Sequence, residues 1–355
     1  MNTHANIAPR LTIAIPAYNR ADFLPTLLIS IAEQLVSLRP PFDARSVEVC
    51  ISDNASVDAT KAVVEKFSGR IPRLVYHRNN HNIGPDRNYL KAVEISSGDF
   101  CWLMGSDDRV EEGALQAVLD ATVRWHDTAG FSVNMAGYDI GFLQRRDILD
   151  PFTFKSDKTF CGSHEVFANF GAYYGYLSGQ VIRRDLWIDA ISSGEHLKYL
   201  NAYVHVFVIG RMIQAVPKWA FLHQRCVGWR SGNDSFLSGG WYQRMAIDVI
   251  GYHDVTVGLF GKKSKTTRVM RDNIARVHAY LSFRGGKQHG QSAANIYMGA
   301  KLLTAYYWKS PVFWRKLFPL IVAPGPLCRA IYLSYVRIVR PTLRAHAERK
   351  MASER

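Results

Sequence analysis

The first 110 residues alternate short apolar runs with amphipathic helical stretches, and that alternation leaves few folds open. Residues 11–15 form a short, largely apolar run stopped by Pro16, which reads as a buried strand. Phe23, Leu24, Leu27, Leu28, Ile31 and Leu35 then recur at helical spacing. Residues 47–52, 74–77 and 100–104 predict three more strands, with helices over 59–67 and 86–95 between them. Strands alternating with helices imply βαβ units and a parallel sheet. In such sheets ligands bind beyond the carboxyl ends of the strands. Three polar clusters fall there: Tyr18-Asn19-Arg20, Asp53-Asn54 and Asp107-Asp108. Turn residues are common at strand ends, but carboxylates closing two separate strands favour a site.

Past residue 120 the periodicity weakens. Residues 181–190 and 202–214 predict helices, 221–229 is apolar with polar interruptions, and 230–234 is a loop. Helices are expected over 240–260, 267–283 and 292–308. Trp102 and Tyr89 read as core. At 48% hydrophobic and 21% charged the chain has enough apolar material for a substantial core and is not disordered by composition.

The net charge of +14 is concentrated at one end. Residues 261–355 hold 19 Lys and Arg against three acids, whereas the first 260 residues carry 25 bases and 27 acids. The basic segment interleaves its cations with Tyr306, Tyr307, Trp308, Phe313, Trp314, Phe318, Tyr332 and Tyr335. That mixture suits a membrane interface, where aromatic rings sit at headgroup depth and bases meet anionic lipid. A helical subdomain with a solvated basic face is the plainer alternative. Nothing matches a nucleic-acid module, so no nucleic-acid partner is expected. No secretory leader and no run of about 18 apolar residues is read in the chain. The cysteines Cys50, Cys101, Cys161, Cys226 and Cys328 lack zinc or redox spacing and read as reduced core thiols of a cytosolic protein.

Paired carboxylates after a buried strand are hard-ion ligands, suited to Mg²⁺ or Mn²⁺ held together with substrate phosphates. Asp53 can accept a hydrogen bond from a nucleobase N–H. Arg87, where a helix begins after a glycine loop, can meet a phosphate. Metal, base and phosphate contacts together describe a nucleoside-diphosphate site. Neither a P-loop nor a dinucleotide glycine motif is present, and no nucleophile elbow of the hydrolase type appears.

Four segments carry a family resemblance. The run from Thr12 through Pro16-Ala17-Tyr18-Asn19-Arg20 resembles the opening strand of family 2 glycosyltransferases. Ser52-Asp53-Asn54-Ala55-Ser56-Val57-Asp58 resembles their second-strand motif, and Asn82-Ile83-Gly84-Pro85-Asp86-Arg87-Asn88 their glycine loop. Gly105-Ser106-Asp107-Asp108 stands where they carry a DXD-type metal motif. Within that family the chain is most similar to abequosyltransferase-like transferases of O-antigen synthesis. The resemblance implies a GT-A fold, α/β with a Rossmann-like mixed sheet and helices on both faces, followed by a helical basic region. Its halves would be 8–121 for the nucleotide and 122–240 for the acceptor, with 241–355 as the helical region. It implies that Pro16, Ala17, Tyr18, Asn19, Arg20, Asp53, Asn54, Gly84, Arg87 and Asp107 line the donor pocket. Asp53 would hold the base and Arg87 would lie near the diphosphate. Asp108 would ligate a divalent cation, with Asp107 beside it at the reacting centre. One departure stands out: Gly105 occupies the place of the first Asp of the motif.

An inverting sugar transfer is a single displacement that needs a base near the acceptor hydroxyl and help for the departing diphosphate. The family's E-D pair for that base is missing here. His205 falls near its place and is the expected base, since a neutral imidazole accepts a proton at neutral pH. Glu195 and Asp185 are the alternatives. Arg230 is expected to meet phosphate and Asn233 to touch the sugar. The sequence therefore predicts a cytosolic glycosyltransferase peripheral to the inner membrane face. It would use a nucleotide-diphosphate sugar and a glycan acceptor, lipid-linked in an O-antigen or polysaccharide pathway. A binding module without turnover and a sugar nucleotidyltransferase are the competing readings.

Overall fold

The structure, a computed structural model, describes residues 8–146, 152, 154–334 and 337. Strands β1 (Leu11–Ala17) and β2 (Val47–Asp53) are buried along almost their whole length, as a parallel sheet covered on both faces requires. They pair in parallel, from Leu11 with Val47 to Ala17 with Asp53. Helices α1 (Leu24–Leu35), α2 (Thr60–Glu65) and α3 (Pro85–Glu94) make the crossovers to β2, β3 (Leu74–Arg78) and β4 (Phe100–Leu103). β3 extends the sheet beyond β2, while β4 adds to the free edge of β1. Strand order thus reverses at β1, the kind of place where ligands bind beyond the carboxyl ends of such sheets. Inside this sheet Glu48 accepts from Thr12 Oγ1 at 2.7 Å, Ser97 N at 2.8 Å and Ser97 Oγ at 2.7 Å. Protein donors replace the water that the buried carboxylate loses.

The second half closes the other side. In chain order it comprises β5 (Arg109–Val110), α4 (Ala114–Arg124), β6 (Gly130–Tyr138), β7 (Lys158–Cys161), α5 (Ser163–Phe170), β8 (Gln180–Arg183), α6 (Arg184–Ile191), α7 (Val204–Ala215) and β9 (Lys218–Arg230). The nine strands run β3-β2-β1-β4-β8-β6-β9-β5, with β7 also on β9. β8 is antiparallel to both β4 and β6, and β9 is parallel to β6 but antiparallel to β5. The helix expected over 181–190 is corrected: the chain is strand to Arg183 and turns helical only afterwards. Val181 and Ile182 are β-branched and fully buried between β4 and β6, so pairing overrides their spacing. The interrupted run over 221–229 belongs to β9, and its interruptions fall where the register with β6 shifts around Asn134.

The chain divides into two compact units, Met1–Asn233 and Asp234–Arg355. In its described residues the second unit is helical: α8 (Trp241–Phe260), α9 (Lys265–Ile274), α10 (Tyr280–Gln288), α11 (Ala293–Tyr307), α12 (Phe318–Val322) and α13 (Gly325–Ser334). The helix expected over 267–283 is two helices joined by a π-helical turn, Ala275–Ala279. No single helix among the described residues is long and apolar enough to cross a membrane. Cys50, Cys101, Cys226 and Cys328 are buried free thiols, whereas Cys161 on β7 is exposed and is not a core residue. Trp102 is fully buried, but Tyr89 is half-buried. Tyr335 of the basic aromatic segment lies outside the described residues.

Candidate active site

At the switch point Pro16 is half-buried, Ala17 is buried and the Tyr18 side chain is 42% exposed. An exposed ring there offers a face on which a base can stack. Asn19 adopts the left-handed conformation, φ 52°. Its N–H donates to Ser56 Oγ at 2.9 Å and its Oδ1 accepts from Val57 N at 2.9 Å. Arg20 N donates to Thr60 Oγ1 at 2.9 Å. Asn19 and the Arg20 main chain therefore clasp the segments that follow β1 and β2.

Two expected donor contacts are corrected. Asp53 is fully buried: Oδ1 accepts from Ser56 N at 2.9 Å and Oδ2 from Tyr76 OH at 2.5 Å, with Arg78 Nε 3.9 Å away. Burial and this carboxylate push the Tyr76 phenol well above its ordinary pKa, so it stays a donor. As placed, both Asp53 carboxylate oxygens are engaged inside the protein. Asn54 is 3% exposed, and its amide is committed to the glycine loop. It donates to Asn82 Oδ1 at 2.8 Å and Gly84 O at 3.3 Å and accepts from Ile83 N at 2.9 Å. Gly84, at φ 82°, adopts a conformation that a side chain would strain. It delivers the chain into α3, where Arg87 is exposed in the first turns.

The same turn carries Asp86, which the sequence had not singled out. Its carboxylate accepts from Ala202 N at 2.8 Å and Val204 N at 3.1 Å, capping α7 from another helix. Burial raises its pKa against those two lowering bonds. Ahead of α7, the turn Glu195–Tyr199 places His196 beside Arg87. Burial, then the guanidinium charge, lowers the His196 pKa.

The carboxylate pair lies at the end of β4. Asp108 is 5% exposed. Its Oδ2 accepts from Ser178 Oγ at 2.5 Å and Tyr176 OH at 2.7 Å, and its Oδ1 from Arg230 N at 3.2 Å. Ser178 also accepts from Gly105 N at 2.8 Å, while its carbonyl takes the Trp102 indole at 2.8 Å. Burial first, then the neighbouring Asp107, raises the Asp108 pKa to about 7. Gly105 explains how the serine gets so close: a Cβ there would lie 3.2 Å from Ser178 Oγ and 3.1 Å from an oxygen of each aspartate. The residue that departs from the family pattern is thus the one that admits Ser178.

Asp107 is half-buried, with Oδ2 accepting from Asn233 Nδ2 at 2.5 Å. Of the two carboxylates it is the one that solvent reaches more readily, while Asp108, the expected cation ligand, is held by protein donors. Among the described residues no three His, Cys, Asp or Glu side chains gather into a metal cage. A cation here would draw most of its oxygens from diphosphate and water. Arg230, expected at the phosphate, is half-buried and engaged within the loop. Its Nε donates to Asp107 O at 2.9 Å and Nη1 to Ile140 O, and the guanidinium covers the Phe23 and Phe142 rings at 4.9 and 4.5 Å. It braces the aspartate loop.

His205 cannot be the base in this structure. It is 1% exposed inside α7, with the Tyr89 ring edge-on at 5.5 Å. The main chain of Tyr174 and Gly175 lies beside it, yet neither ring nitrogen completes a hydrogen bond. Burial lowers its pKa to about 4. A fully buried neutral imidazole has no route to an acceptor hydroxyl. Its stability effect has a definite sign. The unfolded chain takes a proton near pH 6.5 and the native one only near 4, so stability is complete above the first value and lost as pH falls between them. The loss approaches about 3 kcal/mol. Urea midpoints at about pH 7.5 and 5 should show this limb, and His205→Leu should flatten it. An unchanged limb in the variant would mean that another group is responsible. Of the alternative bases, Asp185 is exposed and ion-paired with Arg183, which outweighs burial and lowers its pKa. Glu195 is half-buried and opens the turn that reaches Arg87.

Tyr76, Asp86, Tyr176 and Ser178 were not legible as site residues, because each works through a partner far along the chain. Only the adjacency of Tyr176 and Ser178 to a β-branched pair, Val181-Ile182, could have hinted at a strand entry there.

Residues 12–179 match the family described as Glycosyl transferase family 2. Over that stretch the chain matches a family 2 glycosyltransferase domain. It is 29% identical over 282 residues to abequosyltransferase RfbV of Salmonella typhimurium, covering 76% of this chain and 81% of RfbV. Among solved structures, Staphylococcus aureus TarS 1–349 in complex with UDP-GlcNAc superposes with a TM-score of 0.62 at 14% identity, over 92% of each chain. The mannosyltransferase PcManGT from Pyrobaculum calidifontis, in complex with GDP-Man and Mn²⁺, gives 0.50 at 12% identity, over 91% of this chain and 88% of that one. These likenesses show the GT-A fold, as the sequence implied. By these likenesses the chain is a glycosyltransferase.

Proposed function

We propose that this glycosyltransferase moves a sugar from a nucleoside-diphosphate donor to a hydroxyl of a lipid-linked glycan, with inversion, at the cytoplasmic face of a membrane. The observation that carries the reading is the reversal of strand order at β1: Tyr18 follows β1 with an exposed ring, Asp107 follows the neighbouring β4 as the more accessible carboxylate, and Arg87 is exposed in the first turns of α3. The nucleotide sugars bound to TarS and PcManGT support the donor class, and the name of RfbV supports a deoxysugar within O-antigen synthesis. The basic second unit supports a membrane-bound anionic acceptor.

In this reading the donor's anomeric C–O bond to diphosphate breaks as the acceptor oxygen bonds to that carbon. Glu195 takes the acceptor proton, because its turn lies against Arg87. A divalent cation, Mn²⁺ or Mg²⁺, when bound would neutralise the charge that grows on the leaving diphosphate. Asp107 would hold it. Asp108, Ser178 and Tyr176 fix the loop from which Asp107 projects, and Arg87 pairs with phosphate.

A donor panel tests this. The purified chain is offered UDP-, GDP-, dTDP- and CDP-sugars with Mn²⁺, Mg²⁺ or EDTA, and nucleotide release and binding are both read. One donor should bind and turn over only with the cation. Glu195→Gln should keep donor binding and lose transfer. Absence of cation-dependent binding for every nucleotide would sink the donor-site assignment.

A further inference from the structure

Residues 273–347 contain 11 Lys and Arg and no acidic side chain. Within them the helical segments Phe313–Val322 and Gly325–Ser334 meet at a bend of 105°. The bend is built. Lys287, on α10 and 8% exposed, donates through Nζ to Ile321 O at 2.7 Å and Ala323 O at 2.6 Å. One buried ammonium thus takes carbonyls that the end of α12 would leave without partners. Pro324 follows and brings no N–H of its own. On the far arm Tyr332 packs its ring against His289 just past α10, centroids 5.6 Å apart. Straightening the two arms into one helix would strand the lysine charge in a buried place, which is costly.

The bent pair leaves large apolar side chains in solvent on both arms. Trp314 is 55% exposed, Phe318 41%, Val322 61%, Leu327 52%, Ile331 61% and Leu333 39%. Exposed bases stand among them: Arg315, Lys316 and Arg329. A patch of this kind marks an interaction surface. Each arm is only about 15 Å long, half the thickness of a hydrocarbon core. Aromatic and aliphatic side chains between cations, without one acid nearby, match the headgroup region of an anionic bilayer.

We propose that Phe313–Val322 and Gly325–Ser334 form a fixed wedge that lies in one leaflet of an anionic membrane and does not span it. Lys287 holds the wedge open. The proposal rests on the membrane-surface reading above and names the element and the depth.

The test uses the full chain with vesicles of phosphatidylcholine, with and without phosphatidylglycerol. The protein should sediment with the anionic vesicles, its tryptophan emission should shift to the blue, and lipids brominated near the headgroup should quench it more than lipids brominated near the chain end. The exposed-face variant Phe318→Ser/Ile331→Ser should fold as the parent does by circular dichroism and partition at least about tenfold more weakly. A variant that sediments like the parent overturns the wedge and leaves the membrane reading to the basic surface alone. A parent that sediments with neither vesicle overturns both. Strongest quenching at the chain end would mean a span and would overturn the in-plane placement. A parent that dimerises in solution, while the variant is monomeric and neither binds lipid, would assign the face to a second copy and also overturn it.

Discussion

An Asp107→Asn enzyme is expected to fold as the parent does and to lose about 10³-fold in kcat/KM, roughly 4 kcal/mol of transition-state stabilisation. Asp107 is half-buried and its side chain carries one hydrogen bond with good geometry, from Asn233, so an amide can replace it with little structural cost. What the amide lacks is the charge for a cation beside diphosphate. Asp108→Ala should behave differently. It leaves Tyr176 OH, Ser178 Oγ and Arg230 N without their shared acceptor, which costs about 3 kcal/mol of stability as well as activity. The pair of variants is read by thermal unfolding, by transfer rates, and by titrating Mn²⁺ into the protein–nucleotide mixture. If Asp107→Asn keeps cation-dependent nucleotide binding and Asp108→Ala abolishes it without loss of stability, the roles of the two carboxylates are the reverse.

The second large effect is on the fold. Gly130 opens β6 with its Cα against the main chain of β8: a Cβ would lie 2.4 Å from Val181 O and 2.8 Å from the Trp219 ring. Trp219 cannot give way easily, since it is fully buried and its indole donates to Ser132 Oγ at 3.0 Å. Gly130→Ala should therefore destabilise by about 3 kcal/mol. Gly69→Ala is the control, because nothing lies within 4 Å of its added methyl, and it should stay within about 0.5 kcal/mol of the parent. Urea unfolding monitored by tryptophan fluorescence compares them. Equal midpoints would show that β6 and β8 can separate enough to admit the methyl group.

The parallel half of the sheet was legible because β1, β2 and β4 are buried on both faces and so read as largely apolar runs with polar ends. β1, β2 and the stretch at Asp107-Asp108 follow directly. The antiparallel half was not. Val181-Ile182 sits two residues ahead of a real helix, and its own periodicity belongs to that helix. β9 alternates poorly because a bulge and three neighbouring strands divide its length. The site shows the same split. Motif positions were placed correctly along the chain, but which atom faces the crevice depends on partners that no local pattern reveals. Tyr76 turns Asp53 inward, Ser178 and Tyr176 turn Asp108 inward, and the Phe23 and Phe142 rings hold Arg230. His205 looked available because a lone histidine in a helix gives no sign of being enclosed. Its neighbours Val204, Val206, Val208 and Ile209 are all fully buried, so α7 is enclosed on every side around His205 and meets solvent only from Arg211 onward.

The bracing of the aspartate loop has a consequence for the order in which the nascent protein matures. The four parallel strands use only residues up to Leu103, and their pairing is available early as the chain leaves the ribosome. The loop that follows is tied to Tyr176, Ser178, Arg230 and Asn233. Contacts so distant in sequence form late, and domains tend to fold as units during synthesis. The two aspartates thus acquire their final arrangement only once β9 has been made and has docked. A translation product that stops short of residue 230 would own the nucleotide-facing strands and still lack the assembled carboxylate pair, so donor chemistry is withheld until the first compact unit is whole.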